Sequence, residues 1–207
     1  MVRMLMSLAL LVGLVNAAVA ASFAEGTHYR VLENPGSTNN SDKIELREFF
    51  SYGCPACASI EAPLHDWLDN HAAEDIDFVR NPVLFLRNAE PLARAYYVME
   101  ALDLKDEMHQ AIFDAIHVHR ENLFSPQALG NFFAKFGVEQ AQFNSLYSSF
   151  GVNTKIRQAD ALSRDYQIPG VPNFVVNGKY VVLRENLSTM DDLFAVIEYL
   201  AEKERQE

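Results

Sequence analysis

Strand and helix patterns occupy different parts of this chain, and their order limits the folds that it can adopt. Residues 43–52 alternate apolar and polar side chains, and residues 76–85 form a second strand-like run. Residues 89–166 show successive helical patterns with hardly any strand signal. Strand patterns return at 173–183, around an Asn-Gly dipeptide that predicts a two-residue hairpin turn. We therefore predict an α/β fold in which a small sheet domain is interrupted by an all-helical insertion.

The first residues have the pattern of an export signal. Arg3 is followed by an apolar run over 5–15 and by Ala-Val-Ala at 18–20, which is typical of a secretory signal peptide cleaved after Ala20. A membrane anchor would need about 20 apolar residues, and this run is about half as long. We expect four segments: a signal peptide over 1–20, two parts of the sheet domain over 21–85 and 156–207, and the helical insertion over 86–155.

Other local signals mark loops and helix starts. Residues 21–42, with a Pro-Gly turn and a polar run, are predicted to form a loop. Pro55 marks the first turn of a helix that follows the first strand. A helix in the insertion is expected to begin at Ser125, and the last helix at Ser188, where Asp191 three residues on resembles a capping box.

The charge of the chain bears on its partners. The formal net charge is −11 at pH 7 with histidine neutral. Such an acidic surface repels phosphate groups, so we expect no nucleic-acid partner. A solubilising surface is sufficient to explain the charge itself.

The two cysteines of the chain, Cys54 and Cys57, are too close together to act as an effective structural staple. Exported proteins normally use disulfides to close long loops. Closing a ring of four residues contributes only about 2 kcal/mol before strain is subtracted. A structural disulfide is therefore a poor explanation for the pair.

A zinc site is also poorly supported. Zinc needs about four ligands, and the nearest histidines, His65 and His71, lie in a helical stretch without a second cysteine pair. His117 and His119 are two positions apart, which places them on different sides of a helix, so we interpret them as surface or core residues. Thiol chemistry, with no metal and no cofactor, is the leading interpretation.

The positions of the two cysteines predict different reactivities. Cys54 lies between a strand and a helix, so its sulfur is expected near the helix N-terminus, where unsatisfied N–H groups stabilise a thiolate. Cys57 lies one turn into the helix and is expected to be shielded. We predict that Cys54 is the nucleophile and that Cys57 resolves the mixed disulfide formed at Cys54.

With these residues the sequence resembles the thioredoxin-fold thiol-disulfide oxidoreductases and, among them, the periplasmic DsbA family. The resemblance is carried by EFFSYGCPAC at 48–57, GVPNFVVNGKY at 170–180, the export signal and the helical insertion. It implies a thioredoxin-like fold with an inserted all-helical domain. It also implies an enzyme that donates a Cys54–Cys57 disulfide to reduced, unfolded exported proteins and is reoxidised by a membrane partner of the DsbB type. We expect a periplasmic monomer.

The resemblance also implies roles around the two cysteines. It assigns Pro172 as a catalytic cis-proline that faces the active site, although the sequence alone predicts an ordinary loop proline, since most bonds before proline are trans. Val171 is expected to offer main-chain hydrogen bonds to an extended substrate peptide. Pro55 and Ala56, between the cysteines, are expected to contact the substrate as well.

Two charged residues match the buried acid and base beneath the family's active site. Glu48 shares a strand face with apolar neighbours and is expected to take part in proton transfer, and Arg80 is in register with apolar residues on the second strand. An exposed edge position or a structural ion pair is the alternative for each. One position departs from the family pattern: DsbA oxidases usually have histidine where this chain has Ala56. The missing donor predicts a higher Cys54 pKa and a less oxidising disulfide.

Two alternatives to a disulfide-introducing enzyme remain open. One is a periplasmic reductase or isomerase, although the chain has no room for the dimerisation domain expected of a DsbC-type isomerase. The other is a peptide-binding chaperone with an incidental Cys-Pro-Ala-Cys segment. Transfer of a disulfide that requires Cys54 would discriminate between the enzyme and the chaperone.

Overall fold

The strand segments from the two ends of the chain meet in one sheet. The computed structural model describes residues 23–207, and the signal peptide predicted over 1–20 lies outside the described residues. The strands are β1 (Tyr29–Val31), β2 (Ile44–Phe50), β3 (Ile76–Pro82), β4 (Asn173–Val176) and β5 (Tyr180–Val182). The helices are α1 (Pro55–Asn70), α2 (Ala89–Ala101), α3 (Lys105–His117), α4 (Pro126–Ala134), α5 (Gln140–Tyr147), α6 (Phe150–Asp165) and α7 (Met190–Arg205). No helix within residues 23–207 is long and apolar enough to cross a membrane.

The sheet places the segment before the cysteines at its interior. The strand order is β1-β5-β4-β2-β3, with β2 parallel to β3 and antiparallel to β4. The predicted hairpin joins β4 and β5, and Asn177 and Gly178 both have positive φ, 51° and 61°, as a type I′ turn requires. Helices cover both faces of the sheet, so β2 is buried on both sides, and not on one face alone. The thioredoxin-like fold with a helical insertion is thus confirmed.

Helix α1 fixes the relation between the cysteines and the core. Cys54 is its N-cap with extended backbone (φ −95°, ψ 116°), and Pro55 occupies the first turn, where a missing N–H costs nothing. Trp67, three turns on, stacks on Phe194 of α7 with ring centroids 5.0 Å apart and an interplanar angle of 6°. The helix therefore joins the thiol segment to the opposite end of the sheet core.

Three local predictions differ from the structure. Residues 29–31 form an edge strand against β5, although 21–42 was predicted as a loop, because a three-residue strand paired with a distant segment leaves little local pattern. The last helix of the 89–166 region, whose pattern predicts a start at Thr154, begins four residues earlier at Phe150, where the Ser149 side chain accepts from the Val152 N–H. The last helix has its N-cap at Thr189, one residue later than predicted. The Thr189 side chain accepts from the Asp192 N–H at 3.0 Å, and the Asp192 side chain accepts from the Thr189 N–H at 2.9 Å.

Helices α2 to α5 and the first part of α6 lie in the predicted insertion, 86–155, and continue the core. Buried aromatic side chains of α2, α3, α4 and α5 pack with Phe50 and Tyr52 at the end of β2. The side chain of Asn81 on β3 donates to the Ala159 carbonyl of α6 at 3.2 Å. Residues 155 and 156 lie inside α6, so one continuous helix carries the chain from the insertion to the sheet.

Candidate active site

The two cysteines occupy the turn between β2 and the first turn of α1. The Cys54 N–H donates to the Ser51 carbonyl at 3.0 Å, and the Ala58 N–H donates to the Cys54 carbonyl at 3.1 Å, so the backbone holds the turn on both sides. Both cysteines are free thiols. Cys54 is partly exposed, whereas Cys57 is buried. A thiol of another protein can therefore reach the sulfur of Cys54 and not that of Cys57.

The local contacts make the two thiols chemically different. A hydrogen bond from Cys57, together with the backbone N–H groups of Cys57 and Ala56, lowers the pKa of Cys54 to about 6 against the opposing effect of burial. The same hydrogen bond and burial raise the pKa of Cys57 far above its ordinary value. Cys54 is thus ionised at neutral pH when reduced, while Cys57 retains its proton.

The loop before β4 closes over Cys54. The Val171–Pro172 peptide bond is cis, as the resemblance implies. The Cys54 sulfur lies 3.5 Å from the Val171 carbonyl oxygen, to which it donates when protonated, and Arg184 donates to the Pro172 carbonyl at 3.0 Å. Pro55 and Ala56, which follow Cys54, are exposed, Val171 is half-buried and Pro172 is buried.

A buried network of charged side chains lies beneath the cysteines. Glu48 and Arg80 are paired residues on β2 and β3, and the Arg80 Nε donates to Glu48 Oε2 at 3.0 Å. Arg80 Nη2 donates to Glu61 Oε2 of α1 at 2.9 Å. The His109 Nε2 of α3 lies 3.2 Å from the same Glu61 oxygen. Glu48 is buried as predicted, and it shares its cation with a second carboxylate.

The pKa values of the two carboxyl groups are shifted in opposite directions. Burial raises the pKa of Glu48 to about 8, which Arg80 opposes and the charge of Glu61 reinforces. Burial also acts to raise the pKa of Glu61, but His109 and Arg80 outweigh it, and the pKa of Glu61 is lowered. Glu48 Oε1 is buried and has no hydrogen-bond partner among the described residues. Glu48 is therefore the member of the pair that can hold a proton near neutral pH.

One side of the network faces a cavity of about 700 Å³ between β3 and the insertion. Arg80 and His109 line it, together with Arg47, Lys105 and other polar residues. The cavity reaches the network at Arg80 and His109, while Glu48 and Glu61 do not line it. Among residues 23–207 no group of three or more His, Cys, Asp or Glu side chains is placed to hold a metal ion.

Three residues of the site were missed from the sequence. Glu61 follows Cys57 by one helical turn and belongs to the buried stripe of α1, so a carboxylate on an apolar face was a usable signal. His109 likewise lies on the buried face of α3. The Tyr52 hydroxyl is 2.6 Å from the His109 Nδ1, a contact across 57 positions that no local pattern contains.

A buried thiol behind a partly exposed thiol of low pKa, beside a cis-proline in a sheet with a helical insertion, defines a thiol-disulfide exchange protein of the thioredoxin fold. The family model of the DSBA-like thioredoxin domain matches residues 45–195, so the chain belongs to the DsbA family and is a disulfide-introducing thiol-disulfide oxidoreductase.

Related proteins match over most of their length. The chain is 38% identical over 178 residues to the thiol:disulfide interchange protein DsbA of Burkholderia cepacia, which covers 86% of this chain and 83% of that protein. It is 34% identical to DsbA of Pseudomonas aeruginosa, over 91% of this chain and 89% of that one. The crystal structure of Pseudomonas aeruginosa DsbA superposes with a TM-score of 0.82 at 33% identity, over 89% of this chain and 95% of that chain. DsbA of Xylella fastidiosa gives a TM-score of 0.82 at 29% identity, over 89% and 98%.

Proposed function

We propose that the chain oxidises reduced, unfolded exported proteins in the periplasm, with Cys54 as the attacked sulfur and Cys57 as its disulfide partner. The observation that carries this assignment is the asymmetry of the two thiols: Cys54 is partly exposed with a pKa of about 6, and Cys57 is buried with a raised pKa. The predicted signal peptide over 1–20 supports export to the periplasm.

In the first step a substrate thiolate attacks the Cys54 sulfur of the Cys54–Cys57 disulfide. The bond between the two cysteines breaks, and Cys57 leaves with the electron pair and takes up a proton. A second substrate thiolate then attacks the substrate sulfur of the mixed disulfide, which releases Cys54 as a thiolate. The substrate has lost two electrons and gained a disulfide, and the enzyme pair has gained two electrons.

The site stabilises the reduced enzyme, which favours transfer of the disulfide from the enzyme to the substrate. The thiolate of Cys54 exists only in the reduced enzyme, and each interaction that stabilises it makes the enzyme disulfide more oxidising. The carbonyl of Val171 lies beside the Cys54 sulfur and can accept a main-chain N–H of a bound extended peptide. Val171 and Pro172 thus form, with Pro55 and Ala56, the proposed substrate contact.

Glu48 is proposed to exchange the proton that Cys57 needs. A carboxyl group with a pKa of about 8 is partly protonated at neutral pH and can give up or accept a proton without a large cost. The charge of Glu48 also contributes to the raised pKa of Cys57. The cavity at β3, which Arg80 lines, brings solvent to the edge of this network.

The enzyme must then pass two electrons to another oxidant. We propose a membrane protein of the DsbB type as that partner and a monomeric enzyme. We further propose that 21–85 and 156–207 act as one unit and 86–155 as a second unit that covers the site.

The test is disulfide transfer to a reduced, unfolded ribonuclease. Oxidised wild-type protein should restore ribonuclease activity stoichiometrically, and Cys54→Ser should abolish the transfer. Ser59→Ala, an exposed change one turn into the same helix, is the matched control and should transfer at the wild-type rate. Transfer by Cys54→Ser, or no transfer by the wild type with suppression of aggregation instead, would reject the proposal in favour of a chaperone.

A further inference from the structure

His117, the last residue of α3, lies beside the active-site turn. Its Nε2 is 2.8 Å from the carbonyl oxygen of Tyr52, two residues before Cys54. The half-buried ring also lines a cavity of about 390 Å³. The cavity is shared with residues of the first turns of α1 and the end of α3: Pro55, Ala58, Ser59, Ile116 and Arg120. The insertion thus brings an imidazole to the helix end that carries the nucleophile.

The contact with Tyr52 determines which ring nitrogen carries the proton. A carbonyl oxygen can only accept, so Nε2 must be protonated for the 2.8 Å contact to be a hydrogen bond. Nδ1 takes no part in this contact, so a proton bound there would leave the hydrogen bond to Tyr52 in place.

The charged groups near His117 come from its own helix and the segment after it, and not from the first turn of α1. The first turn of α1, from Pro55 to Ala58, contains no charged side chain by sequence. On its own element, Asp114 lies one turn back, and Arg120 follows the helix and adds a second positive charge to the cavity. The hydroxyl of Tyr52 is already occupied by His109. The charge of His117 also contributes to the lowered pKa of Cys54.

We propose that His117 is a positioning residue for disulfide exchange: it holds the Tyr52 carbonyl of the active-site turn and places a positive charge beside the Cys54 thiolate. Ala56, between the cysteines, has no side-chain donor, so this chain takes its imidazole from the insertion, 61 positions beyond Ala56 in sequence. The proposal rests on the proposed function in one respect, the assignment of Cys54 as the attacked sulfur.

The first experiment compares His117→Gln with His119→Gln as matched control. Glutamine keeps a side-chain donor for the Tyr52 carbonyl and removes the charge, and His119 is an exposed histidine two positions on. The Cys54 thiolate is titrated by its ultraviolet absorbance in the reduced proteins. We expect His117→Gln to raise the Cys54 pKa by about half a unit to one unit, and His119→Gln to leave it unchanged.

The second readout is the equilibrium with glutathione. Because the enzyme thiolate is less stable in His117→Gln, the ratio of disulfide to dithiol at a fixed glutathione poise should rise about threefold to tenfold. His117→Lys keeps a cation and a donor, and it should retain the wild-type Cys54 pKa. A residue that only supported the fold would lower the thermal stability of reduced and oxidised protein equally and leave the glutathione equilibrium unchanged.

Two outcomes would overturn the proposal. One is a Cys54 pKa and a glutathione equilibrium in His117→Gln that equal those of the wild type. The other is an equal rise in the pKa in His117→Gln and His117→Lys, which would assign the effect to the geometry of the turn and not to charge. Both are distinct from failure of the proposed function, which would appear as wild-type protein that cannot transfer a disulfide through Cys54.

Discussion

The sheet half and the helical insertion contribute different chemistry to one site. The sheet half supplies both sulfurs after the end of β2, the cis-proline loop before β4, and the Glu48–Arg80 pair within β2 and β3. The insertion supplies imidazoles: His109 contacts the Tyr52 hydroxyl and His117 contacts the Tyr52 carbonyl. The two histidines are about 12 Å apart along α3. This one helix therefore contacts both the side-chain hydroxyl and the backbone carbonyl of Tyr52. Reacting atoms thus come from one half, and two imidazoles that contact the segment before them come from the other.

Within the sheet half, the largest expected difference is between the alkylation rates of the two cysteines. At mildly acidic pH an alkylating reagent should modify Cys54 at least about a hundredfold faster than Cys57, since only Cys54 has a thiolate there. Peptide mass spectrometry after brief alkylation measures the ratio. In Cys57→Ser the resolving thiol is missing, so mixed disulfides with exported proteins should accumulate. Faster labelling of Cys57 would reverse the assignment.

The Arg80 guanidinium should be the most costly single charge to remove. It pairs with two buried carboxyl groups, and because the pKa of Glu61 is lowered, Arg80→Met leaves the Glu61 charge without this cation and should destabilise the protein by about 3–5 kcal/mol. Urea unfolding followed by circular dichroism measures the loss. Arg157→Met, at an exposed position on α6, should change stability by less than about 0.5 kcal/mol. Equal effects of the two variants would show that the buried network contributes little.

Removal of Glu48 should stabilise the protein, whereas removal of Arg80 should destabilise it. The folded-state pKa of Glu48, about 8, lies above its unfolded value, so this residue favours folding at low pH and the contribution is lost as pH rises toward 8. Glu48→Leu leaves Arg80 paired with Glu61. It should therefore gain stability over the wild type between pH 5 and 8, by about 2 kcal/mol at the upper end.

The same Glu48→Leu variant should also change the pH dependence of disulfide exchange. Stopped-flow exchange rates and unfolding curves at matched pH values check both effects. A rate profile identical to that of the wild type would leave Glu48 with a structural role alone.

A histidine placed between the cysteines should strengthen the oxidant. In Ala56→His an imidazole can donate to the Cys54 thiolate, and each unit by which the Cys54 pKa falls corresponds to about 1.4 kcal/mol and roughly 30 mV of potential. Titration against glutathione, with thiolate absorbance followed in parallel, measures both quantities. A lower pKa without a more positive potential would show that thiolate stabilisation does not set the redox poise of this protein.

The smallest effects test whether the two halves unfold together. Ser125 caps α4 in the insertion, and Thr189 caps α7 against the sheet. Ser125→Ala and Thr189→Ala should each cost about 1 kcal/mol. If the molecule unfolds as one cooperative unit, probes in both halves will report the same loss for either variant. Ser188→Ala, next to the true cap, should cost much less, and a larger cost there would contradict the observed capping geometry.

The segments that the sequence predicts well are those whose signals are local. The turn at Cys54 follows from a strand pattern, a proline in the first helical turn and the cysteine spacing, and the hairpin follows from Asn177-Gly178. The apolar neighbours of Glu48 and Arg80 indicated that both residues are buried. In the structure the register of β2 against β3 places them opposite each other.

The residues that were missed depend on contacts between distant segments. Glu61 and His109 lie on different helices and meet only because α3 packs against α1. His117 was expected to be a surface or core residue, since spacing to His119 carries no information on what α3 faces. The edge strand β1 was missed for the same reason, as its three residues acquire strand geometry from β5. Topology, and not local propensity, decides these positions.

The stacking of Trp67 on Phe194 has a practical consequence for spectroscopy. Trp67 is the only tryptophan of the chain, and it lies ten residues beyond Cys57 on α1, about 15 Å along the helix axis. A sulfur at that distance does not touch the indole, so its fluorescence should be the same in the oxidised and reduced enzyme. The emission instead reports whether α1 and α7 remain packed. It therefore measures folding equally in the oxidised and the reduced enzyme.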